Sequence, residues 1–168
     1  MSALPSVRAI GVTQRLAAMA LVCAVALGLA LAAQYAFEMR PCPWCILQRL
    51  IFILIGLVCL VGAWVESRPA RYALSAVAFV LSLLGAAAAL WQHNVAAKSS
   101  SCNLTLADKV LNALGLEALL PTLFQVTANC AEAAVRVLGV AFEHWSLALY
   151  GLLALGAASV FFKLRDPV

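Results

Sequence analysis

Apolar residues along this chain fall into four long runs separated by shorter polar segments. The runs lie at about residues 16–34, 46–65, 72–91 and 146–162, and each is long enough to cross roughly 30 Å of hydrocarbon as a helix. Only helices and closed barrels satisfy backbone groups in lipid, and these runs do not alternate as barrel strands do. The pattern therefore predicts an all-α integral membrane protein, a single four-transmembrane-helix bundle spanning residues 1–168.

The composition agrees with this interpretation. The chain is 65% hydrophobic and 11% charged, with a mean hydropathy of +1.02, far above a typical soluble domain. Tryptophans favour the headgroup layer and mark the predicted span ends; they are Trp44, Trp64, Trp91 and Trp145. Membrane lipid is an expected partner, and no nucleic acid or metal is expected.

Basic residues predict the orientation. Six of the 11 lie in short segments that four spans would place on one face; they are Arg8, Arg15, Arg68, Arg71, Lys163 and Arg165. Short cytoplasmic segments are enriched in such residues. Both termini are therefore predicted to be cytoplasmic, with exported loops at about 35–45 and 92–145.

A cleaved signal peptide is the alternative for the N-terminus. Ala30-Leu31-Ala32 resembles a cleavage site behind a basic start and an apolar run. The uncharged run of residues 16–37 is longer than the apolar region of such signals, which favours a retained span.

Four of the six cysteines fall in the two predicted exported loops. An even number on the exported side suits an oxidising compartment, and the natural pairing is Cys42 with Cys45 and Cys102 with Cys130. The other two cysteines lie inside spans, where a thiol packs as a small apolar group; they are Cys23 and Cys59.

The long exported loop contains a predicted surface helix. Apolar residues recur there at helical spacing, and Thr105 with Asp108 matches a capping box; the apolar positions are Leu104, Ala107, Leu111 and Leu114. Residues 116–124 are expected to lie along the bilayer. Residues 98–101 are small and polar, so Cys102 is expected beside a mobile stretch.

The Cys42-Pro43-Trp44-Cys45 motif stands where the second span begins. Proline suits the first position of a helix, so Cys42 is expected at the N-cap and Cys45 in the first turn. The positive end of the helix dipole favours thiolates there. Arg49 follows on the same face, and a charge at that depth in lipid implies a partner such as a thiolate or a quinone oxygen.

Other interpretations of these residues remain open at this stage. Cys42 and Cys45 suit redox exchange, a structural bridge, or half of a zinc site completed by Cys102 and Cys130. The second pair alone suits a loop staple. Arg49 alone suits an anchor that snorkels to lipid phosphates.

Two histidines and two glutamates lie near the predicted exported face. His93 suits a hydrogen bond to a ring carbonyl, a proton relay, or an ordinary interfacial position. His144, Glu38 and Glu143 are expected to be solvated residues at the rim.

Taken together, these features resemble the bacterial DsbB family, the disulfide bond formation oxidoreductases of the inner membrane. The resemblance rests on four spans, on Cys42-x-x-Cys45-x-x-x-Arg49 opening the second, on the Cys102 and Cys130 pair, and on His93 ending the third. It implies a thiol oxidase that draws electrons from a DsbA-like periplasmic thioredoxin-fold oxidase and delivers them to quinone.

The resemblance also implies roles for single residues. Cys102 would form the mixed disulfide with the soluble partner, and Cys130 would attack Cys42. Cys45 would leave as a thiolate beside Arg49 and pass its electron pair to ubiquinone, with menaquinone as another acceptor. Arg49, Cys45 and His93 are therefore the expected quinone-binding residues.

This chain departs from the family pattern at two places. Pro43-Trp44 stands where the family has an aliphatic pair, which puts the potential of the dithiol and the packing of the ring in doubt. Gln48 stands where some relatives have an acidic residue.

Three rival functions are compatible with parts of the sequence. A vitamin K epoxide reductase-like enzyme also couples a CxxC to quinone, but its dithiol lies late in the chain. A disulfide-stapled membrane scaffold would keep its cysteines oxidised. A transporter of reducing equivalents would need paired intramembrane cysteines or broken helices, which the sequence does not indicate.

Overall fold

The computed structural model describes residues 7–98, 105–133 and 135–165, with the side chains of residues 7–10 left aside. Within these residues, four helices are long and apolar enough to cross a membrane: α1 (Val7–Ala36), α2 (Pro43–Trp64), α3 (Arg68–Asn94) and α7 (Phe142–Arg165). The all-α, four-transmembrane fold class predicted from the sequence is confirmed. Most of these helices extend past the apolar runs, because polar residues beyond the hydrocarbon continue the same backbone hydrogen bonds.

The segment between α3 and α7 holds only short elements. A 3-10 turn (Ala96–Lys98) is followed by α4 (Leu106–Leu114), α5 (Leu116–Leu119), α6 (Pro121–Phe124) and a hairpin of β1 (Arg136–Val137) with β2 (Val140–Ala141). The hairpin is antiparallel, and its turn residues Leu138 and Gly139 both have positive φ. Sequence analysis missed this hairpin because its strands are only two residues long.

The four long helices run up and down, and α2 lies between α1 and α3 while α3 packs along α7. One end of the bundle carries the start of α2, and we refer to it as the dithiol end. The other end carries the start of α1, the end of α7 and the α2–α3 turn, and we refer to it as the terminal end. The short connections from α1 to α2 and from α2 to α3 make these neighbouring helices antiparallel.

The bundle surface is apolar and its interior contains polar groups. Large aliphatic side chains such as Leu21, Leu57 and Leu155 point outward, where lipid would surround them. In the interior, Tyr150 stacks on Phe52 with ring centroids 4.3 Å apart. The Tyr150 ring also lies so close to Gly85 that any Cβ at that position would collide with it.

The terminal end is closed by arginines that bind helix carbonyls. Arg68 donates to the Leu164 carbonyl at 2.6 and 3.0 Å, joining α3 to α7. Arg15 donates to Ser159 Oγ at 2.9 Å, joining α1 to α7. The Arg68 contact satisfies a carbonyl that the end of α7 leaves without an intrahelical partner, and the two arginines together join three helices.

The long loop is docked on the first turns of α2. Ile46, Leu111 and Phe124 form a small buried cluster between α2, α4 and α6. The backbone N–H groups of Thr127 and Ala128 donate to the Pro41 carbonyl at 3.1 and 3.3 Å. This docking brings the end of the loop back to the CxxC motif.

The predicted surface helix is confirmed as α4. Thr105 caps it, and both hydrogen bonds of the capping box with Asp108 are present. Ala107 and Leu111 are buried against the protein, as their spacing predicts, whereas Leu114 is exposed. Leu104 lies outside the described residues.

Candidate active site: a dithiol beside an apolar cavity

Cys42 and Cys45 occupy the positions that the proline pattern predicts. Cys42 is the N-cap of α2, Pro43 opens the helix, and the Cys45 backbone N–H donates to Cys42 Sγ at 3.4 Å. The two Sγ atoms lie 2.9 Å apart as free thiols. Three-residue spacing on one helical turn therefore brings the two sulfurs into contact.

Cys130 reaches this pair from the docked loop. It is buried, and it is hydrogen-bonded to the Cys42 thiol. The hydrogen bond from Cys42 lowers the pKa of Cys130, assisted by the Trp44 backbone N–H, and the same bond raises the pKa of Cys42. Cys130 is thus the sulfur of this contact that is better suited to act as a thiolate nucleophile.

Cys102 and the predicted mobile stretch at residues 99–101 lie outside the described residues. Lys98, the first residue of that stretch, ends the 3-10 turn. The Cys102–Cys130 disulfide and the mobility of the segment stay predictions.

Arg49 is buried and held by protein groups. Its side chain is 6% exposed, and it donates to Gln34 Oε1 at 2.6 Å, to the Leu123 carbonyl at 3.1 Å and to the Ala30 carbonyl at 3.4 Å. An arginine that snorkels to lipid would be exposed, so the anchor interpretation is wrong. The guanidinium instead holds a fixed positive charge between α1, α2 and the loop.

A pair of buried glutamines adjoins Cys45 and was missed by sequence analysis. Gln92 Nε2 lies 3.3 Å from Cys45 Sγ, and Gln48 Nε2 donates to Gln92 Oε1 at 2.6 Å. In the sequence, Gln48 stands out only as a departure from the acidic residue of some relatives, and Gln92 does not stand out. The sequence feature that could have identified them is the presence of two amide side chains within apolar runs. Amides buried at such positions rarely lack hydrogen-bond partners.

The prediction that Glu143 is a solvated residue at the rim of the exported face is wrong. This carboxylate is 4% exposed, and its Oε1 lies 2.7 Å from Nδ1 of His93, which is 40% exposed. The His144 ring meets the His93 ring edge-on at 4.3 Å. His144 and Glu38 are exposed, as predicted. Glu143 is buried because the first turn of α7 packs against the end of α3, which brings it to His93.

Trp44 also differs from its predicted headgroup position. Its ring is buried and faces Trp91 with centroids 6.4 Å apart, and its indole Nε1 has no partner among the described residues. By contrast, Trp64, Trp91 and Trp145 are exposed at the helix ends.

Cys23 and Cys59 lie in the bundle interior and are free thiols. Gly56 lets α2 approach α1 here, since a Cβ at Gly56 would lie 3.2 Å from the Cβ of Cys23. The packing role predicted for both cysteines agrees with this burial.

A cavity of about 560 Å³ opens beside Cys45. Its walls are mainly apolar side chains of α1, α7 and the hairpin, and its polar lining includes Gln48, Arg49, Gln92 and Glu143. Ligand sites of this size typically combine apolar walls with a few fixed polar groups. Cys45 and the Arg49 cation therefore line the same apolar cavity at the dithiol end.

The fold and the site define a class: a multi-pass membrane protein with thiols in contact with one another beside an apolar cavity. The sequence model of the family described as "Disulfide bond formation protein DsbB" matches residues 13–160. The chain belongs to the DsbB family. It is accordingly a disulfide oxidoreductase of the inner membrane that acts in disulfide bond formation.

Individual relatives agree with this assignment. Disulfide bond formation protein B of Herminiimonas arsenicoxydans is 34% identical, over 82% of this chain and 87% of its own. Disulfide bond formation protein B 1 of Pseudomonas syringae pv. syringae is 33% identical over 80% of each chain. The protein from Aromatoleum aromaticum is 33% identical over 86% of this chain and 89% of its own. The family match argues against the vitamin K epoxide reductase-like alternative.

Proposed function

We propose that this protein oxidises a periplasmic DsbA-like thioredoxin-fold oxidase and passes the electron pair through Cys102 and Cys130, then through Cys42 and Cys45, to membrane ubiquinone. The observation that carries the proposal is the position of Cys45, whose sulfur lines an apolar cavity that also contains the buried cation of Arg49. A lipid-soluble electron acceptor and a thiolate can meet there.

The first exchange takes place in the loop. A thiolate of the soluble partner attacks the Cys102–Cys130 disulfide at Cys102, and the second partner thiol then displaces Cys102. The partner leaves oxidised, and Cys102 and Cys130 are left as thiols. The role of Cys102 rests on its likeness to the family motif.

The second exchange takes place at the start of α2. Cys130 attacks Cys42 of the Cys42–Cys45 disulfide, so a Cys130–Cys42 bond forms and Cys45 leaves as a thiolate. The contact between the Cys42 and Cys130 side chains supports this direction of attack, because it places the attacking sulfur beside Cys42. Cys102 then displaces Cys42 from Cys130, which restores the loop disulfide and leaves Cys42 and Cys45 reduced.

The cavity residues fit a quinone. Arg49 would hold a ring oxygen, and the alanine-rich face of α1, including Ala26, Ala30 and Ala33, leaves room for a flat ring and an isoprenoid tail. A bound quinone supplies a two-electron acceptor that leaves as quinol after taking up two protons. Arg49, kept charged at any physiological pH, stabilises negative charge as it develops in the cavity.

We propose that His93 relays protons for this reaction. Its ring is partly exposed, and its Nδ1 contacts Glu143, whose side chain lines the cavity. The pair thus connects the surface of the dithiol end with the cavity interior. An imidazole ring can both accept and donate protons, so His93 is suited to relay protons between water and the cavity.

The proposed orientation places the dithiol end on the periplasmic side and both termini in the cytoplasm. The basic residues of the terminal end support it, since Arg68, Arg71 and Lys163 all lie there. The soluble partner would then meet the loop on the exported side.

The test is anaerobic mixing of the purified protein with a reduced thioredoxin-fold oxidase and ubiquinone. We expect one quinol for every partner dithiol oxidised, and we expect Cys102→Ser to block oxidation of the partner while Cys42 and Cys45 still oxidise with quinone. A menaquinone analogue in a parallel reaction identifies the preferred acceptor.

A scaffold stapled by disulfides would behave differently in this experiment. Its cysteines would stay oxidised when partner thiols are supplied without quinone, and no quinol would form. Unchanged partner oxidation in the Cys102→Ser variant would show that the second pair is only a staple.

A further inference from the structure

Gln48 and Gln92 form a buried amide pair that ends on a reacting sulfur. Each side chain is 4% exposed. Gln48 donates to Gln92 Oε1 at 2.6 Å, and this bond turns the amide nitrogen of Gln92 toward Cys45 Sγ, 3.3 Å away. Burying primary amides in a membrane bundle is costly unless their groups are paired, so this arrangement is a defined one.

The pair contacts Cys45, whereas Arg49 makes its hydrogen bonds elsewhere. Arg49 uses its guanidinium for Gln34 and for two backbone carbonyls. The side-chain N–H that touches Cys45 Sγ among the described residues is therefore that of Gln92. Arg49 contributes charge to this site, and Gln92 contributes a hydrogen bond.

In the exchange among Cys130, Cys42 and Cys45, the effect of an N–H donor depends on which sulfur it contacts. A thiolate accepts a charge-assisted hydrogen bond, which is shorter and stronger than one to a neutral sulfur. In thiol exchange, the sulfur that is more stable as a thiolate leaves faster. A donor placed on Cys45 therefore favours attack at Cys42 and departure of Cys45.

We infer that Gln92 is a catalytic residue that selects Cys45 as the leaving thiolate, and that Gln48 is the positioning residue that aims the Gln92 amide at the sulfur. This inference rests on the proposed function, because it deepens the step in which the Cys130–Cys42 bond forms and the Cys42–Cys45 bond breaks. The electron pair of the broken bond stays on Cys45, and Cys130 supplies the pair for the new bond.

The test measures the Cys45 thiolate without any quinone. In a full-length Cys42→Ser, Cys102→Ser, Cys130→Ser background, iodoacetamide alkylation at pH 7 is followed by mass spectrometry of the peptide that carries Cys45. Replacing Gln92 by Met keeps the volume and removes the donor. We expect about tenfold slower alkylation, since a hydrogen bond to a charged group is worth about that factor.

Gln48→Met is the second variant, because it leaves Gln92 in place but without its orienting bond. We expect a smaller decrease, of about threefold, because the amide can still rotate into place part of the time. Asn94→Leu is the matched control, because Asn94 is an exposed amide two residues beyond Gln92 whose side chain, among the described residues, donates to the Leu90 carbonyl of its own helix. Its alkylation rate should equal that of the background.

A folded Gln92→Met protein with unchanged Cys45 alkylation would overturn the inference. So would an equal loss in Asn94→Leu, since the effect would then come from a general change at the end of α3. Neither result is the one that would contradict the proposed function. That function would fail if a variant with Cys45 replaced still reduced quinone at the full rate.

Discussion

Two buried arginines lie at opposite ends of the bundle, Arg49 near the start of α2 and Arg71 near the start of α3. Their surroundings show how the two ends differ. Arg71, at the terminal end, donates to the carbonyls of Ala63 and Val65 and to Thr13 Oγ1 at 2.9 Å. Carbonyls at the end of a helix lack intrahelical partners and carry the negative end of its dipole. The charge of Arg71 is therefore matched by the helix that it caps.

Arg49 lies in the second turn of the same helix, at the end away from those carbonyls. Its hydrogen bonds go to α1 and to the loop, and it lines the cavity that holds Cys45. A buried cation that lines a cavity beside a reactive thiol has a use beyond packing. The comparison separates a terminal end built for stability from a dithiol end built for chemistry.

The largest expected effect comes from two cysteines of the same helix. Cys45→Ala should lower quinone reduction at least about 1,000-fold, because it removes the sulfur that carries the electron pair. Cys59→Ala, which replaces a buried packing thiol about four turns further along α2, should leave turnover within about twofold. Steady-state quinol formation by both purified variants measures this difference, and full turnover by Cys45→Ala would remove the mechanism.

The two arginines should fail in different ways when each is replaced by methionine. Arg49→Met should raise the KM for quinone about 10- to 100-fold, since a charged hydrogen bond contributes about 1.5–3 kcal/mol. Arg71→Met should keep KM unchanged and lower the free energy of unfolding by about 2 kcal/mol, because it removes hydrogen bonds to partly buried carbonyls.

Quinone titrations and thermal unfolding in detergent separate the two outcomes. If both variants showed a similar rise in KM, or a similar loss of unfolding free energy, the proposed difference between the two ends of the bundle would be contradicted.

The Cys130 contact predicts a pH effect at the dithiol end. Cys42 donates to Cys130 and lowers its pKa, so in the reduced protein Cys130 should react with iodoacetamide at lower pH than an ordinary thiol. Removing the donor by Cys42→Ala should shift the Cys130 alkylation profile to higher pH, although Cys45 and Asp108 also face Cys130 and disfavour its thiolate. A profile that stays in place or moves to lower pH would contradict this contact.

The smallest expected effect concerns Tyr150, which supports the dithiol end from the bundle interior. Its hydroxyl donates to the Gln48 carbonyl at 2.9 Å. Tyr150→Phe keeps the ring stack on Phe52 and should lower the free energy of unfolding by about 1 kcal/mol. Thermal unfolding checks this, and a change above about 3 kcal/mol would mean that the hydroxyl has a larger role.

Much of the fold could be predicted because apolar runs determine spans locally. Pro43 at the first helical position and the Thr105–Asp108 capping box are likewise local signals, and both appear in the structure. Spacing on one helix also placed Cys42 and Cys45 together.

The remaining features of the site depend on contacts between elements far apart in sequence. Gln92 meets Cys45 across two helices, and Glu143 is buried because α7 brings it to His93. A polar residue near the end of an apolar run has the same local pattern whether it faces water or a neighbouring helix. Only the packing of α2, α3 and α7 distinguishes the two positions.

The most direct measurement of the central claim is photolabelling with an azido-ubiquinone, mapped by mass spectrometry. The account predicts label on the cavity walls at the dithiol end, in residues 26–33 of α1 and 142–149 of α7, and loss of this label when excess ubiquinone competes. Label at the terminal end around Arg71, or label that ubiquinone does not displace, would contradict the account.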